Sequence, residues 1–262
     1  MELQPLETSG RERVLVLVKA LPQVGEKFGE TVCCAGITTD LQWRRLYPIR
    51  FRYLQSNDKF RRWQWLDYDW KLQRDDRRPE SRRIVEETLS PGEELSPSHR
   101  SSFLNRVVVT GRQEVVERGE TILMIRPKES KFSWRKKSLS ELETERERYL
   151  MAVRQLTLFD EQEEMKALNP CPYEFSFRFL DDDGWHENVC GDWEISATFY
   201  NFSKRLGEEK ALVEMERIFG HEYPEKGMVF VLGTHSRYPT TWLLIGVVRL
   251  DRPGRPVLPG FE

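Results

Sequence analysis

Chemistry in this chain has to be sought among its arginines, its aromatic rings and one acidic run. Between Trp43 and Arg83 stand nine aromatic residues, eleven arginines and two lysines against six acids. Nucleic acid needs such a mixture, because phosphates call for cations and exposed bases stack on aromatic faces for roughly 1–3 kcal/mol each. Arginine suits both tasks, since its planar fork grips phosphate and also stacks. The nucleic-acid contacts expected on this basis are Arg74, Arg77, Arg78, Arg82 and Arg83, grouped around Pro79, Glu80 and Ser81, together with Trp63 and Trp65. The same residues also admit a purely structural role. In a strand over 60–72, Leu66, Tyr68, Trp70 and Leu72 share one face as core, while Trp63 and Trp65 fall on the other with Asp67 and Asp69. Strand arginines can then pair with carboxylates of their own chain.

A second group is acidic. Asp181, Asp182, Asp183, His186, Glu187, Asp192 and Glu194 lie close together, and the loop 233–237 adds His235. Metal-assisted hydrolysis uses carboxylates and imidazoles of this kind, so His186, Asp192, Glu194 and His235 form the candidate catalytic set. Against it, Asp181–Asp183 followed by Gly184 is ordinary turn chemistry, and Asp192 suits a helix cap. There is no phosphate-cradling glycine loop, nucleophile elbow, zinc-protease helix, kinase signature or restriction-type nuclease core. Cys171, His186 and Cys190, with His221 or His235 as a fourth ligand, lack the paired cysteines usual in structural zinc sites. The expectation is a protein without metal or cofactor, and a non-catalytic one in preference to an enzyme.

These residues need a scaffold. A hydrophobic content of 39% with 11% aromatics can fill a core, and 32% charged residues give it a solvated surface. No stretch approaches the roughly 18 apolar residues that cross a bilayer. The polar, acidic start at 1–9 does not resemble a secretory signal, so a cytoplasmic location without membrane contact is expected. The four cysteines are too few and scattered for a disulfide framework; Cys33 and Cys34 point to opposite sides of a strand. Charge divides unevenly: residues 1–138 carry 27 Lys and Arg against 20 Asp and Glu, and residues 139–262 carry 14 against 23. A basic half of this kind suits a polyanion, or an acidic half of its own chain.

Apolar and β-branched runs predict strands over 14–21, 30–37, 43–49, 60–72, 106–110 and 121–125, and proline, glycine and serine make 86–102 a surface loop. From Leu139 the spacing of Leu142, Tyr149, Val153 and Leu156 is helical, with Ser138 or Ser140 as cap, until Pro170 and Pro172 end it. Beyond it Tyr173, Phe175, Phe177 and Phe179 alternate with polar residues as a half-buried strand does. Two helices follow Asp192, and nearly all-apolar runs at 228–233 and 242–250 read as central strands. The predicted class is α+β. A β-rich, barrel-like N-terminal domain (1–138) leads through a connecting helix (139–168) to a small ββααββ C-terminal domain (169–262).

One short motif is specific. Gln155, Leu156, Thr157, Leu158 and Phe159 resemble the pentapeptide by which many bacterial repair and replication proteins bind the sliding clamp. That resemblance implies a partner groove that takes a hydrogen bond from Gln155 and apolar side chains from Leu156, Leu158 and Phe159. The stretches 30–37, 45–52 and 78–81, with Gly191–Glu194, are similar to an uncharacterised family of prokaryotic proteins, which implies a prokaryotic origin and no particular activity. The function expected is that of a non-catalytic, nucleic-acid-binding accessory protein of repair, replication or defence, with DNA favoured over RNA and the sliding clamp as second partner. A metal-dependent hydrolase or nuclease centred on the C-terminal half, and a protein–protein scaffold in a larger assembly, are the alternatives.

Overall fold

A computed structural model describes residues 8–25, 29–72, 76, 78–157 and 168–252, with backbone alone at 25, 29 and 152–157. The strands are β1 (Ser9–Lys19), β2 (Gln23–Gly25), β3 (Gly29–Thr38), β4 (Trp43–Ile49), β5 (Gln64–Leu72), β6 (Ser81–Ile84), β7 (Ser90–Glu94), β8 (Val108–Val109), β9 (Ile122–Ile125), β10 (Glu129–Lys136), β11 (Tyr173–Asp181), β12 (Gly184–Val189), β13 (Met228–Thr234) and β14 (Trp242–Arg249). The helices are α1 (Pro97–Leu104), α2 (Gln113–Glu117), α3 (Leu139–Thr157), α4 (Trp193–Leu206) and α5 (Glu208–Met215). A π-helical stretch (Glu216–Glu222) continues α5 into α6 (Tyr223–Lys226). Among the described residues no helix is long and apolar enough to cross a membrane.

Five strands in the order β1-β3-β4-β6-β5 close into a barrel, because β5 pairs back onto β1. Only β4 and β6 run parallel in it. Counted along the chain, the barrel order is first, second, third, fifth, fourth, the Greek-key connectivity of an OB-type barrel. Alternation sets its interior: Val14, Val16, Val32, Cys34, Leu46, Leu66, Tyr68 and Trp70 point inward and exclude water. Gly36 is required where β3 crosses β1, since a Cβ there would strike the backbone carbonyl of Leu15. The segment 86–102 is not the expected loop. It forms a 3-10 turn, the edge strand β7 and most of α1, held in part by Gln64 Nε2 donating to the Gly92 carbonyl at 2.8 Å.

A central sheet, ordered β14-β13-β9-β8, lies against the barrel. Every residue of β13 is buried, as the unbroken apolar run predicts for a strand covered on both sides. One face, with Ile122, Met124, Val229, Val231 and Val248, packs on barrel residues that point outward: Leu15, Leu17, Ala35, Ile37, Trp43 and Trp65. The other face, with Leu123, Ile125, Phe230, Leu232 and Val247, meets Ile195, Phe199 and Met215 of the helices and the phenylalanines of β11. These last belong to a third sheet, β10-β11-β12. The ββααββ order of the C-terminal half is therefore present. The hydrogen-bonded switch between halves comes before Ser138, however: β8 and β9 join β13, and β10 joins β11. Helix α3 does not stand free as a connector but lies along β2 and β3.

A buried ion pair fixes the layers. Asp192 caps α4 by accepting from the Glu194 amide at 3.0 Å. Its Oδ2 also accepts from Arg62 at 2.6 Å and from the Val247 amide at 2.8 Å, so barrel, helix and central sheet meet on one carboxylate. Removing one partner of a buried pair leaves the other charged and unpaired, at a cost of about 3–5 kcal/mol. Asp192→Ala is expected to lower unfolding free energy by about that amount in urea denaturation, whereas loss of a helix cap alone would cost about 1 kcal/mol.

Candidate nucleic-acid interface

The basic segment predicted to meet phosphate is built on β5, β6 and the connection between them. Opposite charges face each other across its strands: Arg11 stands opposite Asp69 and Arg13 opposite Asp67 in the β1–β5 register. Both form ion pairs, at 3.2 and 3.4 Å. Glu12 is a hub inside this ladder, accepting from Arg44 and from the Tyr68 hydroxyl at 3.0 Å and lying 3.3 Å from Arg82. Arg82 also lies over Trp70, 4.2 Å from the ring centroid. Its cation is thus used within the barrel.

Arg78 is held more tightly. Its fork donates to Asp76 at 2.6–3.1 Å, and its remaining nitrogen donates to the Thr234 carbonyl of β13 at 2.6 Å. Burial alone would raise the Asp76 carboxyl, but hydrogen bonds from Arg78 and Ser81 outweigh it and hold the group below its ordinary value. Beside it, Arg45 is 4% exposed and donates to the Thr121 carbonyl at 2.5 Å. Burial, joined by repulsion from Arg78, brings its guanidinium down to about 10. Glu80 accepts from the Thr121 amide and hydroxyl at 2.6 and 2.9 Å. Arg45, Arg78 and Glu80 therefore fasten the barrel rim to the central sheet. Arg83 is exposed on β6, and Arg74 and Arg77 lie outside the described residues.

The tryptophans require a correction. Trp63 and Trp65 are each 9% exposed and pack with Leu104, Ile122 and Val229 between barrel and central sheet. A face turned outward on one sheet has become the inside of a two-layer contact, so neither ring offers a free surface to a base. Trp63 is further fixed by its backbone, at φ 73°, a costly conformation for a bulky residue. Its amide donates to the Val16 carbonyl at 2.8 Å, and Arg100 covers the ring at 4.5 Å. The large-to-small change Trp65→Ala is expected to cost about 3–5 kcal/mol in chemical denaturation, the signature of a core ring rather than of a ligand contact.

The candidate catalytic residues do not converge. His186 lies against Asp181, 2.8 Å from Nε2 to Oδ1, beside Arg112 and the ring of Phe179. Asp192 faces Arg62 and Val247, and Glu194 faces Lys19 at 2.8 Å. His235 accepts from the Arg237 amide at 3.1 Å in the β13–β14 turn. Asp192 and Glu194 are neighbours at the start of α4, but among the described residues His186 and His235 share no hydrogen-bond or ion-pair partner with them or with each other. Among the described residues no three His, Cys, Asp or Glu side chains are grouped to hold a metal ion. Sequence inspection missed Arg62, Arg112 and Glu12 as organising groups. Glu12 alone carried a signal, as an acid between Arg11 and Arg13 on the strand face that Val14 and Val16 continue inward.

The clamp-like motif falls at the end of α3. Gln155 and Leu156 lie in its last turn with backbone described only, and Leu158 and Phe159 lie outside the described residues.

Two family models divide the chain where the hydrogen bonding switches. One, a domain of unknown function (DUF8758), covers residues 10–109. The other, a domain of unknown function (DUF8757), covers residues 108–256, more than half of the protein. The chain belongs to the DUF8757 family. Within it the meeting point at 108–109 coincides with β8, the first strand of the central sheet. No curated protein matches the chain. Among solved structures, the tetrameric p202 HIN2 is 12% identical over 91% of this chain and 90% of its own, with a TM-score of 0.28. A structure from work on the molecular basis for abrogation of activation of pro-inflammatory cytokines is 12% identical over 71% and 79%, with a TM-score of 0.30. Overlaps this slight carry no conclusion.

Proposed function

We propose that the protein is a non-catalytic nucleic-acid-binding accessory protein, acting on DNA in a prokaryotic cytoplasm. What supports this is the connection formed by the basic segment. Residues 73–80 join the fourth barrel strand to the fifth, and with the flanking Lys71, Arg82 and Arg83 they bring six cations against three acids, of which Arg78 and Arg82 are engaged within the protein. OB-type barrels take oligonucleotides on the outer face of the second and third strands and with the loops that join first to second and fourth to fifth. Here the face made by Ala35, Ile37 and Trp43 is covered by the central sheet, which leaves the rim loop. Lys71 and Arg83 are exposed on the strands that bracket it, while Arg74 and Arg77 stand between those strands in sequence and lie outside the described residues. A fold assigns no function by its own connectivity, so the charge at this rim is the physical support.

Binding of a labelled oligonucleotide, measured by filter retention across a salt series, tests the reading. The logarithm of the association constant is expected to fall linearly with the logarithm of salt, and the pair Arg74→Ala and Arg77→Ala to reduce the slope by about two counterions. Absent or salt-independent binding at low ionic strength refutes it.

The sliding clamp is the second partner in this proposal, through Gln155–Phe159 at the end of α3. Changing Leu158 and Phe159 to alanine is expected to abolish co-elution with a bacterial clamp while leaving oligonucleotide affinity intact. Unchanged co-elution, or none by the parent protein, removes the clamp from the proposal.

A further inference from the structure

The sheet β10-β11-β12 buries one face only. Phe132, Phe175, Phe177 and Phe179 point into the core, and the opposite face is open to solvent. On it Trp185 is 49% and Val189 54% exposed, large values for apolar side chains. The register places Lys131 directly opposite Arg178, with Glu187 opposite Arg178 on its other side. Like charges facing each other across a sheet repel, and an acid stands within reach to relieve them. Among the described residues, however, neither cation forms an ion pair; Arg178 instead leans over Trp185, 4.9 Å from the ring centroid. The same face shows that pairing is available. Four residues along β10 from Lys131, Arg135 is neutralised by Glu141 and Glu174, both at 2.8 Å. Ion pairs are formed at one end of the face and, among the described residues, not by the two cations near the exposed indole, although Glu129 and Glu187 share that face.

We propose that this open face binds single-stranded nucleic acid, with a base stacked on Trp185 and flanking phosphates held by Lys131 and Arg178. The proposal rests on the nucleic-acid reading above and names a second contact surface for it. Two adjacent cations outside any ion pair fit a polyanion, and a half-exposed indole fits a flat ring. A single strand offers both, whereas a duplex keeps its rings stacked inside. Ser133 and Ser176, opposite each other on the same face, separate the two cations from the paired Arg135 and Glu174 with hydroxyls.

The test titrates the full chain with labelled oligothymidylate and with a duplex of equal length. Trp185→Ala is expected to weaken single-strand binding about tenfold and leave duplex binding unchanged, while Trp185→Phe retains most of the affinity. The pair Lys131→Ala and Arg178→Ala is expected to lower the salt slope by about two. If Trp185→Ala binds as the parent does while the Arg74 and Arg77 pair weakens binding, this face is not the site and the proposed function stands. If the parent protein binds no oligonucleotide, both fail.

Discussion

Water must be kept from both faces of β13, and most of the architecture follows from that constraint. A strand with every side chain buried cannot lie on a surface, so two further layers have to cover it. The helices and the phenylalanines of β11 supply one. The barrel supplies the other, with its outward-facing Leu15, Leu17, Ile37, Trp43 and Trp65. A small barrel normally turns only its interior away from solvent; this one is apolar inside and along one outer flank as well. Trp43, Trp63 and Trp65 supply much of that second apolar surface.

The arginines obey the same logic. A barrel flank pressed against a sheet needs its margin sealed, and guanidinium groups can do so while donating to backbone carbonyls across the boundary. Arg45 reaches Thr121, Arg62 reaches Val247 and Arg78 reaches Thr234, each donating to a carbonyl across the layer boundary. Asp76 and Asp192 balance two of these cations. The long, multiply donating side chain is chosen here for reach and geometry as much as for charge.

Much of this was legible in the sequence where periodicity alone decides it. The alternation of β11, the cap at Asp192, the two apolar C-terminal strands and the barrel class all follow from residue spacing. The fate of Trp63 and Trp65 does not. Period two tells which residues share a face, but not whether a distant segment will cover that face. The pairing of Arg13 with Asp67 was hidden for a related reason, since cross-strand neighbours are defined by register, which a single strand does not reveal. The composition changes at Ser138, where α3 begins, while the hydrogen bonding between sheets changes at β8, which composition does not register.

Two family models abut at residues 108–109, as if the halves were interchangeable units. The tryptophan-lined seam gives them a different status. Severed there, one piece would carry a bare indole-and-leucine flank and the other an uncovered valine sheet, each adhesive toward any apolar surface it met. The two segments can be told apart by descent, yet neither is a module that could be shuffled into another protein without its mate.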